Sequence, residues 1–456
     1  MALAKKLESI IISTKLTFLR NAFYILNNFS LFSGVLAWLC SKSIKEVTPD
    51  GRIISFTTKP VEERITALFL SYEKFRDDYI VLSATKKIRS LIIKGYWQTR
   101  FVNIFYPKQF INSVCLHTAD DDSPLAWSQE RFRAFLQVFL TSLYKTVQVD
   151  CVIGSDVRNE FDFDWGVVSK AMGVPYIVFH RENLVASLNL YNNALGKFKG
   201  LKRFKGDYIV VHNNAEKHMI IESGYADESQ ISALGCLRMD DFIKRINKGA
   251  YCNPQKKKLL FFTFHTPSVG IDVYQKVITT IAKLAIQHYD IDVIIKPKAD
   301  FFEKCEKESM DKVFKDADIN PDKIQNLEIL PYADAQELIL SSDVVCAINS
   351  TVMLEAGIAG KSVIVPFFNE CQETTDRLND ILLKEYFHLF EVAIDEIGLK
   401  SKILANLHTP IKITEEIMEG RKKVFEEFVS SMNADATENY LSLIEDVSLK
   451  SHSHFK

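Results

Sequence analysis

The sequence has little glycine or proline, 17 and 12 residues among 456, which excludes a collagen-like repeat and a Pro/Gly-rich disordered chain. Neither charge is in strong excess. The 56 Lys and Arg stand against 58 Asp and Glu, a net charge of −2, so no global field marks nucleic acid as the partner. The eight cysteines form no CxxC pair and no CxxC…HxxxH arrangement, which argues against a zinc site. Cys151 and Cys346 fall inside apolar runs, where a reduced thiol acts as a small core side chain, and the expected compartment is a reducing cytoplasm. Uncharged runs of membrane-spanning length are also scarce. The one at 21–41 is interrupted by Asn21, Asn27, Asn28 and Ser30 and carries no small-residue cleavage pattern. It leaves three readings: a span, a buried helix, or a helix lying on the inner membrane with Lys5, Lys6, Lys15 and Arg20 toward the headgroups.

What is present is core-forming material: 47% hydrophobic residues, with 32 Phe and 16 Tyr, in a chain long enough for two or three domains. Short β-rich apolar runs alternate with amphipathic helices, the pattern of parallel sheets covered on both faces. In the first half, strands are expected at 52–57, 150–154, 175–180 and 207–212. Helices are expected at 61–75, where Ile65, Leu68, Phe69, Tyr72 and Phe75 share a face, at 128–147 with Ser128 as cap, at 165–172, and from Asn213 or Asn214 to Gly224. Polar residues 246–258 read as a linker. A second sheet follows at 258–264, 292–296, 327–330, 343–348 and 362–366, with helices starting at Asp272, near Phe302, at Asp334 and at Ser350, and further helices at 414–432 and 435–447. The division is therefore an N-terminal apolar and basic segment (1–45), a first α/β domain (46–245), the linker (246–258), a second α/β domain (259–400) and C-terminal helices (401–456).

In open parallel sheets ligands bind beyond the C-terminal ends of the strands, so the loops there carry the candidates. Asn349, Ser350 and Thr351 follow one strand and open a helix, whose free N–H groups and positive end suit a phosphate. Glu355, one turn inward, can accept hydrogen bonds from a sugar diol. His265 and the pair Lys296 and Lys298 end two neighbouring strands and would add positive charge, and Tyr332 can offer its ring or backbone to a nucleobase. In the first half, strand ends deliver Asp156, and His180 with Glu182, as candidate bases for an acceptor hydroxyl. Asp162-x-Asp164 begins a helix and reads as capping rather than metal binding, and no metal or cofactor is expected. The run 197–205, KFKGLKRFK, has five basic residues and suits lipid headgroups or a lipid-linked diphosphate.

The run 342–366, SDVVCAINSTVMLEAGIAGKSVIVP, with IIKPK upstream, resembles the donor half of GT-B glycosyltransferases, especially bacterial surface-carbohydrate enzymes and the CDP-glycerol glycerophosphotransferase-like group. A second run, 206–241, is similar to the end of that family's first domain, where G-x-P-R-x-D leads into the linker. The resemblance implies two Rossmann-like domains facing a cleft, phosphate contacts for Ser350 and Thr351, a ribose or sugar contact for Glu355 and a donor-side role for Lys296. Lys298 stands where the family has His, Leu237 where it has Pro, and Ser362 replaces the Pro after Gly-Lys. The expectation is a metal-independent transferase moving a sugar from a nucleotide-sugar donor to a glycan or lipid-linked acceptor. The alternatives are a CDP-linked phosphoalcohol transferase, a UDP-sugar 2-epimerase, or a non-catalytic sugar-nucleotide or membrane-binding partner in polysaccharide assembly.

Overall fold

The computed structural model describes residues 30–57, 64–75, 78–107, 124–157, 159–180, 185–249, 256–264, 269–372, 375–409 and 412–453. Two sheets organise them. The first has the order β2 (Ile53–Ser55), β1 (Lys45–Val47), β4 (Ile88–Ile92), β3 (Ile65–Phe69), β5 (Cys151–Gly154), β6 (Tyr176–Phe179), β7 (Tyr208–Val211), β8 (Ile231–Ala233). From β4 to β8 the neighbours are parallel, and β1 with β2 adds an antiparallel hairpin at one edge. The second sheet is parallel throughout, in the order β11 (Leu327–Ile329), β10 (Ile291–Lys296), β9 (Lys257–Phe262), β12 (Val344–Cys346), β13 (Ser362–Pro366), β14 (Glu391–Ala393). Numbered from its own first strand, this is the 3-2-1-4-5-6 order of a Rossmann sheet.

The second sheet lies close to its sequence expectation, β14 excepted, because its central strands β12 and β13 and most of β9 and β10 are apolar runs buried on both faces, whereas the edge strand β14 is short and half-buried. Asp334 accepts from Glu337 N at 2.9 Å and starts its helix as foreseen. The first sheet departs from expectation at its centre. Residues 61–63 of the helix expected at 61–75 lie outside the described residues, and the rest does not form it; Ile65–Phe69 is β3, between β4 and β5, followed by a single 3-10 turn at Tyr72–Lys74. A run that is apolar on every side fits either period, and insertion between two parallel strands satisfies its backbone as β. Strand β4 escapes the sequence pattern because Arg89 and Ser90 interrupt it. Arg89 is accommodated by Glu46 Oε2 at 2.8 Å and Thr57 O at 3.2 Å. The helix expected from Ser128 already starts at Pro124, a residue suited to the first helical turn.

The chain crosses between the halves twice. Cys236, Met239, Phe242 and Ile243, just past β8, pack into the second domain's core. In return, Tyr440, Leu441, Ile444 and Val447 of the last helix, Ala436–Ser453, pack into the first domain's core. Each such side chain contributes about 1.5–3 kcal/mol on burial, and the Tyr440 ring meets Phe179 edge-on at 4.8 Å. Asp240 caps that helix, accepting from Ala436 N at 3.1 Å, Thr437 N at 2.8 Å and Thr437 Oγ1 at 2.7 Å. Cys236 N donates to Ser430 Oγ at 2.9 Å, which pins the two crossing segments together. Gly235, at φ +85°, makes this approach possible; a Cβ there would lie 2.9 Å from Ser430 Oγ and 3.1 Å from the Ala436 Cβ. Among the described cysteines, Cys40, Cys151, Cys236, Cys346 and Cys371 are buried free thiols and Cys305 is exposed.

Candidate active site

In the second sheet the chain reverses its direction of winding between β9 and β12, so the crevice opens at their C-terminal ends. Asn349, Ser350 and Thr351 leave β12 there. Asn349 adopts φ +58°, a left-handed conformation that asparagine tolerates. Its Oδ1 accepts from Leu382 N at 2.7 Å, so the side chain anchors its own loop. The next amide, Leu383 N, donates to Ala186 O of the first domain at 2.8 Å. Two consecutive amides thus tie the β12 loop to the loop after β6. Ser350 Oγ accepts from Val352 N at 3.4 Å, and Ser350 and Thr351 are half-buried.

Glu355 sits one turn into the following helix, Val352–Ile358, and is 5% exposed. Among the described residues its carboxylate makes no hydrogen bond and no ion pair. Burial raises its pKa, and the Arg238 guanidinium opposes that shift. Arg238 comes from the other side, in the segment between β8 and the helix Met239–Asn247. Its side chain keeps surface open to water, and among the described residues it too makes no hydrogen bond or ion pair. The Cys236 sulfur, together with the Glu355 and Asp78 carboxylates, raises its pKa against the effect of desolvation. Asp78 is a buried residue of the first domain. Arg238 therefore stands in the electrostatic reach of both halves.

The other donor-side candidates have different surroundings. Lys296 Nζ donates to Pro297 O at 2.8 Å and Pro331 O at 2.7 Å, tying together the loops after β10 and β11; burial lowers its pKa. Lys298 is exposed. Tyr332 is 72% exposed and donates its hydroxyl to Glu303. His265 lies outside the described residues.

In the first sheet the corresponding crevice lies at the ends of β3 and β5. Asp156 follows β5 and is half-buried, with Oδ1 3.1 Å from His180 Nδ1. His180 has no exposed surface, and its Nε2 lies 3.1 Å from Glu216 Oε1. Both approaches are at ion-pair distance, although neither is aligned along the ring N–H as a full hydrogen bond. Burial lowers the imidazole pKa, but the Glu216 and Asp156 carboxylates override it and hold the value at about 10. His180 thus carries its proton at neutral pH, beneath Asp156. Glu182 lies outside the described residues.

The Asp162 and Asp164 pair caps nothing, contrary to expectation; Asn159 is the N-cap, accepting from Phe161 N. Asp162 accepts from Ser71 Oγ at 2.7 Å and from Asn159. Asp164 accepts from Arg133 at 2.7 Å, Gln129 at 3.1 Å and Tyr106. Burial pushes Asp162 up to about 7. Ser71 has φ +48°, a left-handed serine at the end of β3.

Sequence reasoning did not single out Arg238, although the run GCLRMDD contains it. In that run Gly235, Cys236 and Asp240 have structural duties and Arg238 has none.

No protein-family model matches this sequence, and no curated protein does. Solved structures similar to it include the UDP-GlcNAc 2-epimerase from Neisseria meningitidis bound to UDP-GlcNAc, at 14% identity and TM-score 0.45, over 84% of this chain and 100% of that one. The wall teichoic acid polymerase TagF is similar at 12% identity and TM-score 0.48, over 95% and 98%. The α,α-trehalose-phosphate synthase (UDP-forming) from Burkholderia vietnamiensis is similar at 10% identity and TM-score 0.43, over 86% and 100%. The chain's own strand orders and the return of its last helix to the first sheet make the GT-B architecture. This architecture is what the sequence leads one to expect.

Proposed function

We propose that the protein is a metal-independent glycosyltransferase that moves a sugar from a nucleotide-sugar donor to a glycan or lipid-linked acceptor in bacterial surface-carbohydrate synthesis. The observation that carries this reading is Glu355, buried one turn into the helix after β12 with no hydrogen bond or ion pair among the described residues, and within the electrostatic reach of Arg238. Two groups of opposite charge that make no ion pair with each other suit a ligand that needs both. A nucleoside diphosphate sugar does: its diphosphate suits a guanidinium fork and its diol suits a carboxylate acceptor. As the glycosidic bond breaks, negative charge grows on the leaving diphosphate, and Arg238 with the Ser350–Thr351 loop would stabilise it. His265 and Lys298 remain candidates on the same side.

On the acceptor side, Asp156 has access to the crevice and takes the hydroxyl proton in this reading. The protonated His180 acts as a positioning residue behind it, in place of the base expected from sequence. Glu182 is the second candidate for that proton. The GCLRMDD run, similar to G-x-P-R-x-D, favours one further reading, transfer of a phosphoalcohol from a CDP-linked donor. Product analysis separates them, since one reaction moves a sugar and the other a phosphodiester.

The test is a thermal-shift panel of UDP-, CDP-, GDP- and CMP-linked compounds. A ligand at 100 times its Kd stabilises the native state by about 2.7 kcal/mol. At least one compound should raise Tm in the wild type and fail to do so in Glu355→Gln and Arg238→Gln. A panel with no wild-type shift, or with equal shifts in both variants, would refute the donor site.

A further inference from the structure

The helix Ser30–Ser43 packs against the protein through Ser33, Ala37, Cys40 and Ser41, with Leu36 partly buried beside them, and turns Val35, Trp38 and Leu39 outward. Ser33, Ala37, Cys40 and Ser41 are buried against the helix Pro124–Val147 and the core beneath it. Val35, Trp38 and Leu39 are 49%, 55% and 45% exposed. Their i, i+3, i+4 spacing puts them on one face, and Lys42, one turn on, extends it. A helix facing only a core and water would be arranged the other way round.

Charge decides what covers this face. The helix has no acidic residue, and the Lys42 ammonium lies over the Trp38 ring at 5.5 Å. The adjoining helix Tyr96–Phe105 is also free of acids and is joined to the first by Trp97 Nε1 donating to Ser43 Oγ at 2.7 Å. It repeats the motif: Tyr96 is 49% exposed, with the Arg100 guanidinium 3.9 Å from its ring centroid. Aromatic rings with cations at their faces match the headgroup level of a bilayer, where rings rest between acyl chain and water and cations meet phosphate. Its 14 described residues span about 21 Å, short of the ~30 Å hydrocarbon core, and no helix among the described residues is long and apolar enough to cross a membrane. The 29 residues ahead of it carry Lys5, Lys6, Lys15 and Arg20 against one acid, Glu8.

We infer that the Val35–Trp38–Leu39–Lys42 face docks the protein onto an anionic lipid bilayer. The biological purpose of the contact rests on the lipid-linked acceptor proposed above; the contact itself does not. The test is co-sedimentation of the full chain with vesicles of phosphatidylcholine, with and without phosphatidylglycerol. The wild type should sediment with the anionic vesicles and be released by salt. The double variant Trp38→Ser, Leu39→Ser should bind them at least about tenfold more weakly, given the apolar area removed from the interface. Lys42→Glu should lose anionic binding while keeping the wild-type elution volume and Tm. Wild type that stays in the supernatant, variants that sediment equally, or a wild-type dimer that the double variant splits would each overturn the inference. The nucleotide thermal-shift panel on the same proteins keeps the questions apart: vesicle binding without any nucleotide shift would reject the proposed function and leave the docking face standing.

Discussion

Arg238, just past β8, and Glu355, in the helix after β12, sense each other's charge without forming an ion pair. A buried carboxylate with no partner among the described residues lowers stability unless something bound to the protein compensates it.

Replacing Glu355 should therefore separate stability from activity. Its folded pKa is raised, so the ionised form costs stability once pH rises above the unfolded carboxylate value. Glu355→Gln should equal or exceed the wild-type Tm at pH 7.5 and lose turnover. A fall in Tm together with preserved kcat would show Glu355 to be structural.

Arg238→Gln should lower kcat/KM by about 10²–10³, the usual effect of removing one donor to a developing anion. Tm should change little, because the guanidinium makes no hydrogen bond to the protein among the described residues. Arg238→Lys keeps the charge but not the fork and should recover only part of the activity.

His180 gives a pH signature. Its folded pKa of about 10 lies above the ordinary imidazole value, so its stabilising effect is complete below about pH 6.5 and fades as pH rises toward 10. Wild-type Tm should fall over that interval more steeply than the Tm of His180→Gln. Parallel curves would mean that the imidazole is neutral.

Asp162 acts over a lower interval. Its pKa rises from the ordinary carboxylate range to about 7, so the native state loses stability as pH increases from about 4 through 7. Asp162→Asn should flatten the dependence of Tm on pH between 5 and 8. An unchanged slope would assign the loss to other groups.

Asp240→Ala should cost about 2–4 kcal/mol, because it removes a buried charged acceptor from three donors. Hydrogen exchange should then rise first in the helix Ala436–Ser453. Uniform exchange along the chain would show that the cap does not hold this helix separately.

The second domain was readable because its evidence is local: apolar runs, caps such as Asp334, and turn residues such as Gly360. The first domain hid β3 and β4, where pairing with distant strands outweighs local pattern, as the Arg89–Glu46 pair illustrates. The site was legible in part for the same reason. Ser350 and Glu355 announce themselves by position after a strand. Nothing local marks Arg238, since an arginine in a loop is ordinarily a solvated charge. Its distinction is that among the described residues it has no hydrogen-bonding partner, where Gly235, Cys236 and Asp240 around it all have one. Lys296 and Asn349 illustrate the reverse, polar residues at the right strand ends whose groups are taken up by backbone atoms.

The pinned crossing at Cys236 and Ser430 has a mechanical consequence. The two halves are tied at two places, by Cys236 N on Ser430 Oγ and by Leu383 N on Ala186 O, so a change in their mutual position has to break or bend at least one of these bonds. Arg238 stands two residues from the first tie. Asp156 follows a strand of the first sheet and Glu355 a strand of the second, so the separation of these two carboxylates is set by how the two ties hold the halves together.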